Sequence, residues 1–298
     1  MKYIFGLVCI CSVLFSSCTL ETPEDPSNKN EVEIQEYIKL KNLTLKKSPE
    51  GLHYQTPTLR VDVKPKIVGE LVTFHYKMSL LDGKIIDSTS RTKNINRSLV
   101  WGVNTSQSLF SLPLSLLNEG ESGLFVIPSA LAFGSSQLGD VPAFSVIVLE
   151  LTIDAIRNEA AQIALIEKTY GIENPERLSN GLVFKKLVAN PTGAAVSADA
   201  PVLVNYTGRL SYSYVHSDVS GAFVYNPIFG SGTLGTPTVP FVLSQNNLIP
   251  GFTEALKKMR AGEKAAVIIP YSLGYGTAGN SAIPGYSPLY FEISVIAP

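Results

Sequence analysis

The same ordered series of residues occurs twice in this chain, and the two copies hold register. Tyr76 and Tyr206 are 130 residues apart, as are Gly51-Leu52 and Gly181-Leu182. Gly120 and Gly262 are 142 residues apart, as are Phe133 and Tyr275. The spacing changes once, by 12 residues, so the two colinear copies differ by a single insertion. Each copy is far longer than one solenoid unit, which makes this a pair of whole domains. A chain of 298 residues has room for two domains of ordinary size.

Hydrophobic residues make up 45% of the chain and charged residues 16%, enough apolar material for a core in each copy. The formal net charge is −1, with no long basic or acidic run. That argues against nucleic acid as a main partner and favours neutral or apolar ligands.

The first residues read as an export signal. Lys2 gives a positive start, Ile4 to Phe15 is apolar, and Ser16-Ser17-Cys18 ends the stretch. The run is too short for a mature membrane span. Small residues before a cysteine resemble a bacterial lipoprotein cleavage site, although Phe15 is unusual three places before the Cys. The alternative is plain secretion with cleavage nearby. The three cysteines are Cys9, Cys11 and Cys18, so the folded part has none left for a disulfide. The expectation is a signal over residues 1–17, lipidation at Cys18, a solvated tether over 18–30, and a lipid-anchored protein of the cell envelope, at the outer membrane or facing the periplasm.

Beyond the tether, Ile34 and Ile38 fall at i, i+4 and predict a short amphipathic helix over Glu31 to Asn42. Ile163, Ile166 and Tyr170 predict its counterpart over Ala160 to Tyr170. Each helix leads into a short strand, at Gly51 to Tyr54 and at Gly181 to Phe184. The main segments are β-rich: Leu71 to Met78, Gly123 to Ile127 and Val146 to Ile153 in one copy; Val202 to Leu210, Ala265 to Ile269 and Leu289 to Ile296 in the other. One helical spacing interrupts each set, at Phe110, Pro113, Leu114 and Leu117, and at Phe252, Ala255, Leu256 and Met259. Strands with one helix give an α+β fold: two tandem domains, each a curved antiparallel sheet wrapped on one short helix and preceded by a leader helix. The domains are expected over 31–156 and 157–298. The insertion falls within 213–240 and reads as a long loop.

Several chemistries find no support. His53, His75 and His216 lack metal-ligand spacing. No Gly-x-Ser-x-Gly elbow is present, and no mature Cys could act as a nucleophile. Gly230 to Gly235 matches G-x-G-x-x-G, but Pro237 and Pro240 follow it and no helix opens there. Nothing in the sequence requires a cofactor or a metal.

The second copy carries Tyr206-Thr207-Gly208, Leu248-Ile249-Pro250-Gly251-Phe252, Gly262-Glu263-Lys264, Ile269-Pro270, Gly274-Tyr275-Gly276, Ile283-Pro284 and Phe291. In order and spacing these resemble the FKBP-type peptidyl-prolyl cis-trans isomerase family, over about residues 200–298. The first copy, about residues 69–156, is similar but eroded. The resemblance implies proline-containing polypeptides as substrates and a pocket for the proline ring lined by Tyr206, Phe241, Phe252, Ile283 and Phe291. It implies a rim of Leu248 and Ile249, with the Ile249 N–H and the Tyr275 hydroxyl donating to the substrate. The expected catalytic set is Tyr206, Ile249 and Tyr275. Phe252 stands where the family usually has Trp. The family's pocket Asp is kept as Asp87 in the first copy, whereas Gly221 to Asn226 are expected at that place in the second. In the first copy Ser106-Gln107 replace the rim, Phe133 replaces the tyrosine and Leu149 replaces the closing aromatic. That copy is expected to be weak or inactive. The other reading is a non-catalytic peptide-binding chaperone or scaffold.

Overall fold

The computed structural model describes residues 26–56, 65–92, 96–103, 108–217, 223–235, 241–246 and 248–296. The signal sequence, Cys18 and Ser106-Gln107 lie outside these residues.

The first domain comprises α1 (Pro26–Leu40), β1 (Lys46–Lys47), β2 (His53–Gln55), β3 (Leu71–Ser79), β4 (Ile85–Ser88), β5 (Arg97–Val100), α2 (Ser108–Ser115), β6 (Ser122–Ile127) and β7 (Ile147–Arg157). The sheet runs β1-β2-β6-β7-β3-β4, with β5 also on β3, and its pairs are antiparallel. The second domain repeats this with α3 (Glu159–Tyr170), β8 (Glu176–Arg177), β9 (Val183–Val188), β10 (Pro201–Val202), β11 (Val204–Ser217), β12 (Phe223–Leu234), β13 (Phe241–Val242), α4 (Pro250–Lys257), β14 (Lys264–Ile269) and β15 (Leu289–Val295). Its sheet runs β12-β11-β15-β14-β9-β8, and β10 pairs with β13 beside it. In both sheets the last strand in sequence lies in the interior, β7 between β6 and β3 and β15 between β14 and β11.

Each sheet is covered on both faces. Leu109, Phe110, Leu114 and Leu117 of the α2 region fill the inner face of the first sheet, against Phe74, Tyr76, Leu149 and Leu151. Phe252, Ala255, Leu256 and Met259 do the same for the second. The leader helices take the outer faces. Ile34 of α1 packs on Val126 and Val146, and Ile166 of α3 packs on Val183, Ala266 and Ile268. Tyr170 of α3 stacks on Tyr290 with ring centroids 4.1 Å apart. Asn158 caps α3 by accepting from the Ala161 N–H, and Gly171, at φ 62°, ends it in the left-handed region.

Both leader helices are fastened at the same place, the turn after an Ile-Pro pair. Asn30 Oδ1 accepts from the Ser129 N–H at 2.7 Å, after Ile127-Pro128. Glu159 Oε1 accepts from the Tyr271 N–H at 2.8 Å, after Ile269-Pro270. This contact corrects the expected tether. α1 begins at Pro26, and within it Asn30 is buried and its amide also donates to the Phe144 carbonyl. A buried amide needs partners, and these two bonds supply them.

The insertion is a two-stranded arm rather than a loop. β11 pairs with β15 only from Val204 to Leu210, yet continues against β12 out to Ser217 and Phe223. The two domains also touch. Only Asn158 separates β7 from α3. Leu71 and Val100 of the first domain lie in one buried cluster with Tyr212 and Phe241 of the second. Gly69 lies against the Tyr286 ring, and a Cβ there would stand 2.7 Å from it.

Candidate functional site

In the second domain three elements bring aromatic rings to one point. Tyr206 comes from β11, Phe291 from β15 and Phe252 from α4. Phe252 meets Phe291 edge-on at 5.1 Å and Tyr206 at 5.7 Å. These are the T-shaped geometries that ring quadrupoles favour. Phe241 of β13 and Ile283 are buried in the same cluster, with Leu248 and Ile249 packed against it. Ile249 is the N-cap residue of α4, and Pro250 opens the helix. Pro lacks an N–H and fits there. The Ile249 N–H has no acceptor among the described residues, so it is available to a ligand.

Tyr275 follows the turn at Tyr271–Leu273 and is held by its backbone. The Gly276 N–H donates to the Tyr271 carbonyl at 2.9 Å, and the Gly279 N–H donates to the Tyr275 carbonyl at 3.1 Å. The residue is 36% exposed, unlike the buried Phe241, Phe252 and Phe291. Burial first, and the neighbouring Tyr206 phenol second, push its hydroxyl above the ordinary tyrosine value. It therefore stays a neutral donor at ordinary pH. Seven of the eight expected site residues share one cluster, and Tyr275 stands outside it.

One ring escaped the sequence reading. Phe229 of β12 meets Phe291 edge-on at 5.5 Å. Gly208 makes room for both, since a Cβ there would lie 2.6 Å from the Phe229 ring and 2.7 Å from the Phe291 ring. The signal was present but displaced by the insertion: Ile228-Phe229-Gly230-Ser231 is the counterpart of Ile85-Ile86-Asp87-Ser88.

Strand register proves that equivalence and corrects the expected position of the missing carboxylate. In the first domain Asp87 opposes Met78, Ile86 is bulged and Ile85 opposes Ser79. In the second, Gly230 opposes Gly208, Phe229 is bulged and Ile228 opposes Arg209. The residue at the Asp87 position is therefore Gly230, not one of 221–226. An insertion at a hairpin tip adds length beyond the body and leaves the register below it intact.

The first domain's site is built differently. The Tyr76 hydroxyl donates to Asp87. Burial first, then this bond, push the phenol far above the usual tyrosine range. The Arg97 guanidinium lies 4.5 Å over the Phe110 ring, on the ring corresponding to Phe252. Leu149 is fully buried where Phe291 stands in the second domain, and Phe74 supplies a ring to Phe110 from the side, at 5.3 Å.

Elsewhere His53 and His75 have structural partners. His53 bonds Glu31 at 3.1 Å, and His75 lies between Thr89 and Asp154. No group of residues suited to a metal ion occurs among the described residues.

A curved antiparallel sheet with a short helix beneath it and rings gathered between them defines an α+β domain built round an apolar cradle, present here twice. The chain belongs to the FKBP-type peptidyl-prolyl cis-trans isomerase family, whose model matches residues 64–154 and 193–296. It is 34% identical over 143 residues to FkpA of Escherichia coli strain K12, covering 48% of this chain and 47% of that protein. The macrophage infectivity potentiator of Trypanosoma cruzi is 36% identical over 122 residues, covering 41% and 55%. Mouse FKBP9 is 26% identical over 230 residues, covering 77% and 35%. The chain thus spans roughly a third to just over half of these relatives' lengths. The crystal structure of the three FKBP domains of wheat FKBP73 aligns over 85% of this chain and 98% of that one, with 16% identity and a TM-score of 0.34.

Proposed function

We propose that this protein is a peptidyl-prolyl cis-trans isomerase acting on proline-containing polypeptides, with its activity in the second domain. Family membership supports the reaction class. The observation that carries the assignment to the second domain is the ring cluster of Tyr206, Phe252 and Phe291, with two donors near it that have no acceptor among the described residues, the Ile249 N–H and the Tyr275 hydroxyl.

The reaction suits these groups. Rotation about an X–Pro bond meets a barrier of about 18–20 kcal/mol, set by amide resonance. It needs no nucleophile, only a dry cradle that disfavours the planar, solvated amide and donors placed for the twisted one. Phe252, Phe291 and Phe241 exclude water round the proline ring. Ile249 N–H and Tyr275 Oη donate to peptide carbonyls. In the first domain the Arg97 guanidinium covers the corresponding floor, and that domain is weak or inactive.

The physiological role we assign is assistance to the folding of exported proteins, whose X–Pro bonds isomerise over tens of seconds. The protein is held at the cell envelope through lipid on Cys18. Cys18→Ser is expected to move it from the membrane fraction to the soluble fraction.

A protease-free cis/trans assay on the full chain tests the activity. Clear acceleration is expected, and Tyr275→Phe should lower kcat/KM by up to about tenfold, the worth of one neutral hydrogen bond. Acceleration within about tenfold of background, or none, sinks the isomerase reading. Peptide binding without turnover would then favour a non-catalytic binding module, the reading that the absent carboxylate at Gly230 supports.

A further inference from the structure

The two domains solve the polar side of the pocket in opposite ways. In the first, Asp87 accepts the Tyr76 hydroxyl, so that phenol is satisfied within the protein. In the second, the residue at the same register position is Gly230. A Cβ at Gly230 would meet no atom within 4 Å, so the space a carboxylate would take is open. Gly232, two residues on, shares that face of the strand. A Cβ there would stand 3.8 Å from Tyr206 Oη. Gly232 thus lies beside the Tyr206 phenol, and by register Gly230 stands where the carboxylate that accepts from Tyr76 stands in the first domain. Among the described residues no group accepts its proton. A half-buried donor with no acceptor among the described residues favours a ligand that supplies one.

Resting on the isomerase reading above, we infer that Gly230 is a specificity-determining position that leaves the Tyr206 hydroxyl to donate to a bound peptide, accepting it at a carbonyl oxygen beside the prolyl ring. Where the first domain spends this phenol on its own carboxylate, the second offers it to the substrate. Gly230 also removes from the pocket the negative charge that Asp87 brings in the first domain. The second domain therefore binds peptides through three donors: Tyr206 Oη, Tyr275 Oη and the Ile249 N–H.

A double-mutant cycle on the full chain tests this. Tyr206→Phe deletes the donor. Gly230→Asn places an uncharged acceptor where Asp87 stands in the first domain, and captures the donor instead. Gly230 has no left-handed backbone and faces open space, so the change is compatible with the strand. Gly230→Asp is the second variant, and a cooperative melt checks the fold of each. Each single change is expected to lower kcat/KM about five- to tenfold. The double variant should fall no further than either single one, since both remove the same bond. Losses that multiply, a Tyr206→Phe variant with unchanged kcat/KM, or turnover raised by Gly230→Asn would each overturn the inference while leaving the isomerase reading intact. If the wild-type chain accelerates nothing, the isomerase reading fails. The same cycle is then read as Kd for a proline-containing peptide by calorimetry. Non-additive losses there still support the donor; additive losses, or no binding, overturn it.

Discussion

Gly208 shows how one side chain sets the shape of a site. Three positions meet there: the β11 glycine, the bulged Phe229 and the closing Phe291. Their counterparts in the first domain are Met78, Ile86 and Leu149, of which Met78 and Leu149 are buried in that domain's core. The same space is filled either by two rings and no side chain or by three aliphatic chains. Gly208→Ala puts a methyl group 2.6–2.7 Å from two rings that already meet edge-on. The expected loss is about 1–3 kcal/mol in a denaturant melt, with a fall in kcat/KM as Phe291 is displaced. A neutral melt would show that the rings relax freely. At this scale the sequence was legible where motif residues keep local spacing: Tyr206, Phe252, Ile283 and Phe291 share one cluster. Phe229 was not legible, because its place depends on cross-strand pairing across an insertion. Gly230 was hidden for the same reason, and its G-x-G-x-x-G stretch is strand up to Leu234.

The leader helices are elements whose positions were legible and whose fastening was not. Ile34 and Ile166 follow from helical periodicity, but the bonds from Asn30 and Glu159 to the distant Ile-Pro turns leave no periodic trace. Nor did periodicity distinguish a strand-built arm from a loop at 213–240, since both are rich in turn residues. α1 carries a pH dependence. Burial works against ionising Glu31, but hydrogen bonds from Lys47, Gln35 and His53 outweigh it and hold its carboxyl at about 2, below the ordinary 4.5. A carboxyl held low stabilises the fold above the unfolded value, and that support is lost as pH falls through the folded one. Protection of the α1 amides against hydrogen exchange is therefore expected to hold at pH 5 and to fall between about pH 4.5 and 2. Glu31→Gln should lower protection at pH 5 and flatten the change. Equal pH profiles for the two proteins would show that Glu31 does not fasten the helix.

At the scale of the whole molecule, the two domains share buried surface. Leu71 and Val100, paired on β3 and β5, lie in the cluster that holds Tyr212 and Leu243. Leu71→Ala is expected to cost about 2–5 kcal/mol, and to lower exchange protection in β11 as well as in β3. Loss confined to β3 would mean that the contact does not couple the domains. The strand order carries a further consequence, for a chain that emerges gradually from a ribosome or an export channel. β7 and β15 come last in their domains and yet lie inside the sheets, each joining two strands that do not pair with one another. A nascent domain stopped just before that strand holds two half-sheets with facing unpaired edges. It must wait, open to other chains, until the closing strand arrives. The first domain can close only once Arg157 is out, and α3, the lead element of the second, then follows after a single residue. A protein proposed to attend the folding of others would thus itself be a slow and exposed client while its own interior strands are awaited.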